Sequence, residues 1–277
     1  MPAPALRQSA PDWCFYREGL DPAVYYRRLR EIGYAGAEMV APGRWAAARA
    51  AGLEIVNLSA PGMTDGLNRR ENHARLIPQI GESLRMAAAN GIGQVIVFSG
   101  NRGAVGEDQG LANVVEALRL LAPEARKAGV RLAFEMLNSF DHQGYQADSS
   151  RYGFEVVRRV GSPAVQALYD VYHLRRMGED VRATLLAGLA QVCHLHVAES
   201  PSRGIPRADG TADYRGLVRA VQAAGYTGYW GQEFQPAGDP LEELARAFEL
   251  FESFAGLECV RKPGRGAPAG GSAPAEA

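Results

Sequence analysis

The feature that most limits how this chain can fold is a beat of glycines that close helical patterns just ahead of short β-type runs. Ile32-Gly33, Ala51-Gly52, Asn90-Gly91, Ala128-Gly129, Val160-Gly161 and Ala224-Gly225 share this form. Glycine enters the left-handed conformation without a Cβ clash, so it is the expected residue just past a helix C-terminus. Each pair therefore marks a helix-to-strand junction. The β-type runs are Trp13 to Tyr16, Gly36 to Val40, Glu54 to Ala60, Gln94 to Gly100, Arg131 to Leu137, Val165 to His173, Gln191 to Ala198 and Tyr229 to Phe234. Helical patterns occupy Pro22 to Ile32, Arg44 to Ala51, Arg69 to Ala89, Leu111 to Ala128, Ser150 to Val160, Val181 to Ala190, Asp213 to Ala224 and Pro240 to Phe254. Apolar residues recur every third or fourth position in the clearest of these, such as Leu76, Ile80 and Leu84. Pro78 falls inside that pattern and predicts a kink or break.

Strands alternating with helices imply right-handed βαβ units and a parallel sheet. Eight of each within 277 residues imply one closed (β/α)8 barrel, the TIM barrel, rather than an open doubly wound sheet. The open sheet's dinucleotide signature, GxGxxG between strand and helix, is missing, as is a phosphate-binding GxxxxGK(S/T) loop. The barrel is expected to span residues 1–260. Residues 261–277 are rich in Pro, Gly and Ala and offer too little apolar surface to repay ordering, so they read as a disordered tail.

Composition narrows the partners. Lys+Arg 30 against Asp+Glu 31 leaves a formal net charge of -1, without the basic field that draws nucleic acid or anionic membrane. No run has the length of a membrane span, and the N-terminus MPAPALRQSAPDW lacks the apolar core of a secretory signal. Cys14, Cys193 and Cys259 are an odd number without CxxC spacing, which argues against a disulfide framework or a zinc ribbon. Cys14 and Cys193 read as small core residues of strands. A cytoplasmic protein acting on a small molecule is expected, with a homo-oligomer left open.

Against this background one strand carries an anomaly. Parallel strands covered by helices should be near-continuously apolar, yet Arg131 to Asn138, RLAFEMLN, contains Glu135. Alone, such an acid reads equally well as a structural residue paired with an arginine. The anomaly repeats, however: Asp170, His196 and Glu233 occupy the ends of the next three runs. In a (β/α)8 barrel these strands are neighbours and active sites form at their C-terminal ends. Three carboxylates brought together without a cation would repel, so a divalent ion is the simplest way to keep them ionised. The donor set suits Mg²⁺, Mn²⁺ or Co²⁺, and its imidazole favours Mn²⁺.

The segments GAEMV, NLSAPG, GLNRRENH, VIVFSGNR, FEMLNS, YDVYHL, HLHVAESPSR and GYTGYWGQEF resemble the hydroxypyruvate isomerase family of the xylose isomerase-like barrels, a superfamily that includes ketose 3-epimerases. The resemblance runs over nearly all of residues 12–257. It implies that Glu135, Asp170, His196 and Glu233 hold the metal, and that Glu135 and Glu233 also accept and donate the proton. It further implies that His173 and Arg203 hold substrate oxygens. His196 stands where the best-known isomerases carry Gln and the epimerases carry His.

Elementary chemistry is compatible with those roles. His173 follows Asp170 by three, so the two face one way only if the strand has already bent. A core histidine bonded to a carbonyl is the competing reading. Arg203, in a loop rich in Pro and Gly, suits bidentate grip on a carboxylate but reads equally as a solvated loop residue. His194 lies two before His196 and so points the same way, as a neighbour that orients the ligand. His142 and Tyr145 are candidates for a lid, Glu38 either reaches the pocket or pairs structurally, and Asn57 and His73 carry no assignment. The expected function is a metal-dependent aldose-ketose isomerase converting hydroxypyruvate to tartronate semialdehyde. Alternatives are a ketose 3-epimerase or other sugar isomerase, an endonuclease IV-like phosphodiesterase, and a barrel that binds without turnover.

Overall fold

The computed structural model describes residues 6–256, so Cys259 and the expected tail at 261–277 lie outside the described residues. In chain order the described elements are β1 (Arg7–Pro11), α1 (Asp12–Phe15), α2 (Pro22–Ile32), β2 (Gly36–Glu38), α3 (Trp45–Ala50), β3 (Glu54–Ile55), β4 (Asn57–Ser59), α4 (His73–Ala89), β5 (Gln94–Phe98) and α5 (Glu107–Ala128). They continue as β6 (Arg131–Glu135), α6 (Ser150–Val160), β7 (Val165–Asp170), α7 (Val171–Arg176), α8 (Val181–Gly188), β8 (Val192–Val197), α9 (Tyr214–Ala223), β9 (Tyr229–Gln232) and α10 (Pro240–Phe254).

Among the described residues all strand pairings are parallel, in the order β3-β2-β1-β9-β8-β7-β6-β5-β4. The two ends of that series, β3 and β4, are consecutive stretches of chain separated only by Val56. The Val56 N–H donates to Ala37 O at 3.0 Å, while Ser59 opposes Ile96 on β5. One stave thus changes partner half-way and closes the ring, so nine strands make eight staves. This is the expected (β/α)8 barrel.

The glycine beat holds its promise: all six junction glycines have positive φ, for example 68° at Gly129 and 66° at Gly161. Each helix turns one apolar stripe to the barrel. In α6, Tyr152, Val156, Val157 and Val160 are buried while the arginines face solvent. Each such aliphatic side chain contributes roughly 1.5–3 kcal/mol through burial.

Three local expectations are corrected. The first strand is Arg7–Pro11, whereas Trp13 to Tyr16 begins with the helical turn α1 and places Cys14 in a helix. The true strand reads RQSAP and hides its polarity in partners: Gln8 Nε2 donates to Phe248 O and Glu252 Oε1, and Ser9 Oγ donates to Glu38 Oε1. Second, the run from Val165 stops as a strand at Asp170, whose side chain caps α7 by accepting the His173 N–H at 3.2 Å. That is the bend the His173 spacing required. Third, Pro78 does not break α4, which is helical from His73 to Ala89. Pro78 lies on the exposed face, where the carbonyl it leaves unbonded meets water, and the buried Leu76, Ile80 and Leu84 hold the helix to the barrel. No helix among the described residues is long and apolar enough to cross a membrane.

Candidate functional site

Glu135 ends β6, Asp170 ends β7, His196 is the penultimate residue of β8, and Glu233 directly follows β9. Parallel registry therefore brings all four to the same mouth of the barrel. Each offers one donor atom, and the four atoms lie within 4.8 Å of one another. All four are buried.

The electrostatics of this cluster are divided. Burial, reinforced by the charge of Glu233, pushes Asp170 up to about 7, and burial also raises Glu135. Burial works against Glu233 too, but His196 and Arg203 reverse it and hold that carboxyl below its ordinary range. Burial likewise opposes the charged form of His196, yet Glu233 and Glu38 outweigh it and hold the imidazole well above its ordinary value.

The orientation of His196 is set from behind. Its Nε2 lies 2.9 Å from Glu38 Oε2, and its Nδ1 lies 3.3 Å from both Glu135 Oε1 and Glu233 Oε2. Nδ1 therefore faces the mouth and Nε2 the barrel interior. Glu38 accepts further bonds from Ser9 Oγ at 2.6 Å and Asn57 Nδ2 at 2.5 Å, while Asn57 Oδ1 accepts the Met39 N–H. His194 Nε2 lies 3.0 Å from Glu38 Oε2 without hydrogen-bond geometry, and its ring meets that of His196 edge-on. Gly231 completes this cradle, because a Cβ there would run into Glu38 Oε1 and His196 Cδ2.

A divalent cation suits the donors at the mouth. Three carboxylate oxygens that repel in a dry site and one imidazole nitrogen backed by a carboxylate are the residue types such an ion draws together. Glu38, His194 and His196 form a second cluster of metal-capable side chains among the described residues. It shares His196 with the first, and the oxygens of Glu38 are already engaged.

The remaining expected residues sort clearly. Arg203 Nη2 donates to Glu233 Oε2 at 3.0 Å, and its guanidinium lies between the rings of Trp13 and Tyr172, 5.1 Å from each centroid. Its backbone is held at φ 54°, an uncommon conformation for a residue with a Cβ, by bonds to Glu199 O and from the Gln235 N–H. His173 is buried beside Asp170, with Nε2 3.5 Å from Asp170 Oδ2. His142 is half-buried, 5.4 Å from the ring of His173. Tyr145 is fully buried, its hydroxyl accepting the Ser99 N–H and donating to Glu135 O, so it braces the end of β6 and is no lid. His73 is a core histidine against Leu67 O at 2.8 Å.

Two residues at the site escaped the sequence reading. Trp13, assigned there to a strand, stands at the mouth and donates Nε1 to Glu233 Oε1 at 3.0 Å. Asn138, just past the strand that carries Glu135, contacts His173. An asparagine just past the end of a barrel strand was the available signal.

A model of the family described as Xylose isomerase-like TIM barrel matches residues 26–253. The chain belongs to that family. Among curated relatives, the hydroxypyruvate isomerase of Escherichia coli strain K12 is 30% identical over 125 residues, 45% of this chain and 48% of that protein. A probable ketose 3-epimerase of Synechocystis is 30% identical over 140 residues, 50% of this chain and 47% of that protein. The chain thus spans about half the length of the curated relatives it matches. A crystal structure described as AP endonuclease, family 2, from Brucella melitensis superposes with TM-score 0.75 at 21% identity, covering 87% of this chain and 98% of that one. At that identity the likeness shows the fold alone.

Proposed function

We propose that this protein is a metal-dependent isomerase of the hydroxypyruvate isomerase type, interconverting hydroxypyruvate and tartronate semialdehyde. The observation that carries the reading is the pair Glu135 and Glu233, each with a carboxylate oxygen 3.3 Å from His196 Nδ1. The reaction moves a proton from the hydroxylated carbon to the neighbouring carbonyl carbon, and a second proton between their oxygens. One carboxylate to take the carbon-bound proton and one acid to return a proton supply what this transfer needs.

The divided electrostatics suit that division of labour. In the metal-free site His196 and Arg203 hold Glu233 low while burial raises Glu135, so the two carboxylates differ in basicity, and an ion held by both would keep both ionised. Arg203, its guanidinium 5.1 Å from the ring centroids of both Trp13 and Tyr172, would hold the substrate's carboxylate, and His173 an oxygen near the reacting carbons. Glu135, Asp170, His196 and Glu233 would hold the ion, Mn²⁺ or Mg²⁺ before Co²⁺. When bound it supplies positive charge where the substrate oxygens become negative.

His196, together with the likeness to the Synechocystis protein, supports a second reading, ketose 3-epimerisation. The same two carboxylates would then remove and return the proton at one carbon from opposite faces. The test is a panel of short keto acids and ketoses incubated with Mn²⁺-loaded protein in D₂O and followed by proton NMR. Appearance of the aldehyde with deuterium on the former carbonyl carbon supports the isomerase. A ketose inverted and deuterated at C3 supports the epimerase, and no solvent exchange on any compound overturns both.

A further inference from the structure

His173 has a fixed hydrogen-bonding polarity, and the neighbour that imposes it is Asn138. The Asn138 backbone N–H donates to His173 Nδ1 at 3.1 Å. A backbone N–H only donates, so Nδ1 must carry a lone pair. In the neutral ring the proton then sits on Nε2.

The Asn138 side chain reinforces this, and its own orientation leaves no choice. Its Oδ1 accepts the N–H groups of Phe140 at 3.0 Å and Asp141 at 2.8 Å, an Asx turn at the start of the loop. Its Nδ2 must therefore be the donor toward His173 Nδ1 at 2.6 Å and toward Asp141 Oδ2 at 2.8 Å. Turning the amide over would set its NH₂ against two backbone N–H groups and its oxygen against a carboxylate and a nitrogen lone pair. All four hydrogen-bonding positions of the amide are used.

The consequence appears on the far side of the ring. His173 Nε2 is fully buried, has no hydrogen-bond partner among the described residues, and lies beside Asp170. Its other ring neighbours, His142 and Tyr172, offer it no acceptor bond. Buried donors are normally met within the protein, so one left open at a candidate active site is available to a ligand.

We propose that Asn138 is a positioning residue that locks His173 as a neutral Nε2–H donor facing the reaction site. The substrate atom above it must then be an acceptor, a carbonyl or carboxylate oxygen, and the bond strengthens as that oxygen gains negative charge. This proposal deepens the isomerase reading and rests on it only for what the donor meets.

Histidine ¹⁵N labelling and long-range ¹H–¹⁵N NMR on the metal-free protein test it, with His173 assigned by its loss in His173→Gln. In the wild type, Nε2 is expected protonated and Nδ1 not. Asn138→Asp is isosteric and retains the acceptor for both turn bonds, but it sets a carboxylate oxygen against Nδ1. That nitrogen should then gain a proton, and kcat/KM should fall roughly 10- to 100-fold. Asn138→Ala, which keeps only the backbone donor, should show a mixture of tautomers and serves if the aspartate variant does not fold. A protonated Nδ1 in the wild type, or an unchanged tautomer in the variants, overturns the proposal. The NMR arm needs neither metal nor substrate, so its failure leaves the isomerase reading standing. Absence of turnover with the expected tautomer sinks the isomerase reading alone.

Discussion

Two layers of the barrel interior each contain buried acid, and Glu38 in the deeper one is treated oppositely to Asp170 and Glu135 at the mouth. In the deeper layer Glu38 meets Ser9, Asn57 and His196, with His194 3.0 Å away. Burial opposes its charge, but the two histidines prevail and hold it well below the ordinary range. At the mouth, Asp170 and Glu135 lie in equally dry surroundings with fewer donors, and both are raised. Isolated buried charge costs several kcal/mol, so a fold keeps it only where something compensates. In the deeper layer the compensation is already present in the protein. At the mouth it is only partly present, which separates a site from a structural acid more sharply than burial does.

The largest test of that contrast is at the carboxylates themselves. Glu135→Gln and Glu233→Gln retain an oxygen but lose the titratable group, so turnover should fall by roughly 10² to 10⁴-fold while Mn²⁺ binding weakens far less. Wild-type proton exchange in D₂O by either variant, with metal bound, would remove that residue from the proton-transfer role.

A smaller effect is expected one layer down. Glu38→Gln leaves the mouth carboxylates in place but removes the charge behind His196 Nε2, so Mn²⁺ affinity measured by calorimetry should drop about 10- to 100-fold. An unchanged affinity would make Glu38 a packing residue and nothing more.

The mouth should also bind metal in competition with protons, and the sign follows from Asp170. Its folded-state value of about 7 lies above the ordinary carboxylate value of 3.8, so between these the folded carboxyl holds a proton that a cation must displace. His196, raised as well, acts in the same direction. Mn²⁺ affinity should therefore climb with pH up to neutrality, about tenfold per pH unit for each proton displaced. Equal affinities at about pH 5.5 and 7 would show that the metal-free site is not strained in this way.

The smallest expected effect is steric. Gly231→Ala forces a methyl group against Glu38 and His196, which their other partners keep from yielding. Overpacking of this kind costs about 1–3 kcal/mol. For a domain of this size the thermal midpoint should fall roughly 2–4 °C per kcal/mol. A midpoint equal to wild type would mean that the deeper layer is looser than its hydrogen bonds indicate.

Much of the architecture is legible along the chain because it depends on local rules. Asp21-Pro22 opens α2 and Gly33 closes it, both readable from neighbouring residues. The polar first strand, RQSAP, is not readable in that way: Gln8 acts as strand interior only because Phe248 and Glu252 meet it from the other end of the chain. Trp13 is not readable either, since its apolar neighbourhood says nothing of the helical turn that follows Pro11.

The sequence by itself determined the barrel class and its four mouth residues, because strand order and the alternation of side chains translate position in the chain into position on a sheet. Which acid would be satisfied and which left open was decided only by tertiary structure. Glu38 and Glu135 look alike as buried glutamates of parallel strands. They differ because Ser9 and Asn57 reach Glu38 from staves that are separate stretches of chain, in addition to the His196 contact that both glutamates share. Hydrogen bonds depend on distances of tenths of an ångström and on angles. Neither is encoded in the spacing of residues along the chain.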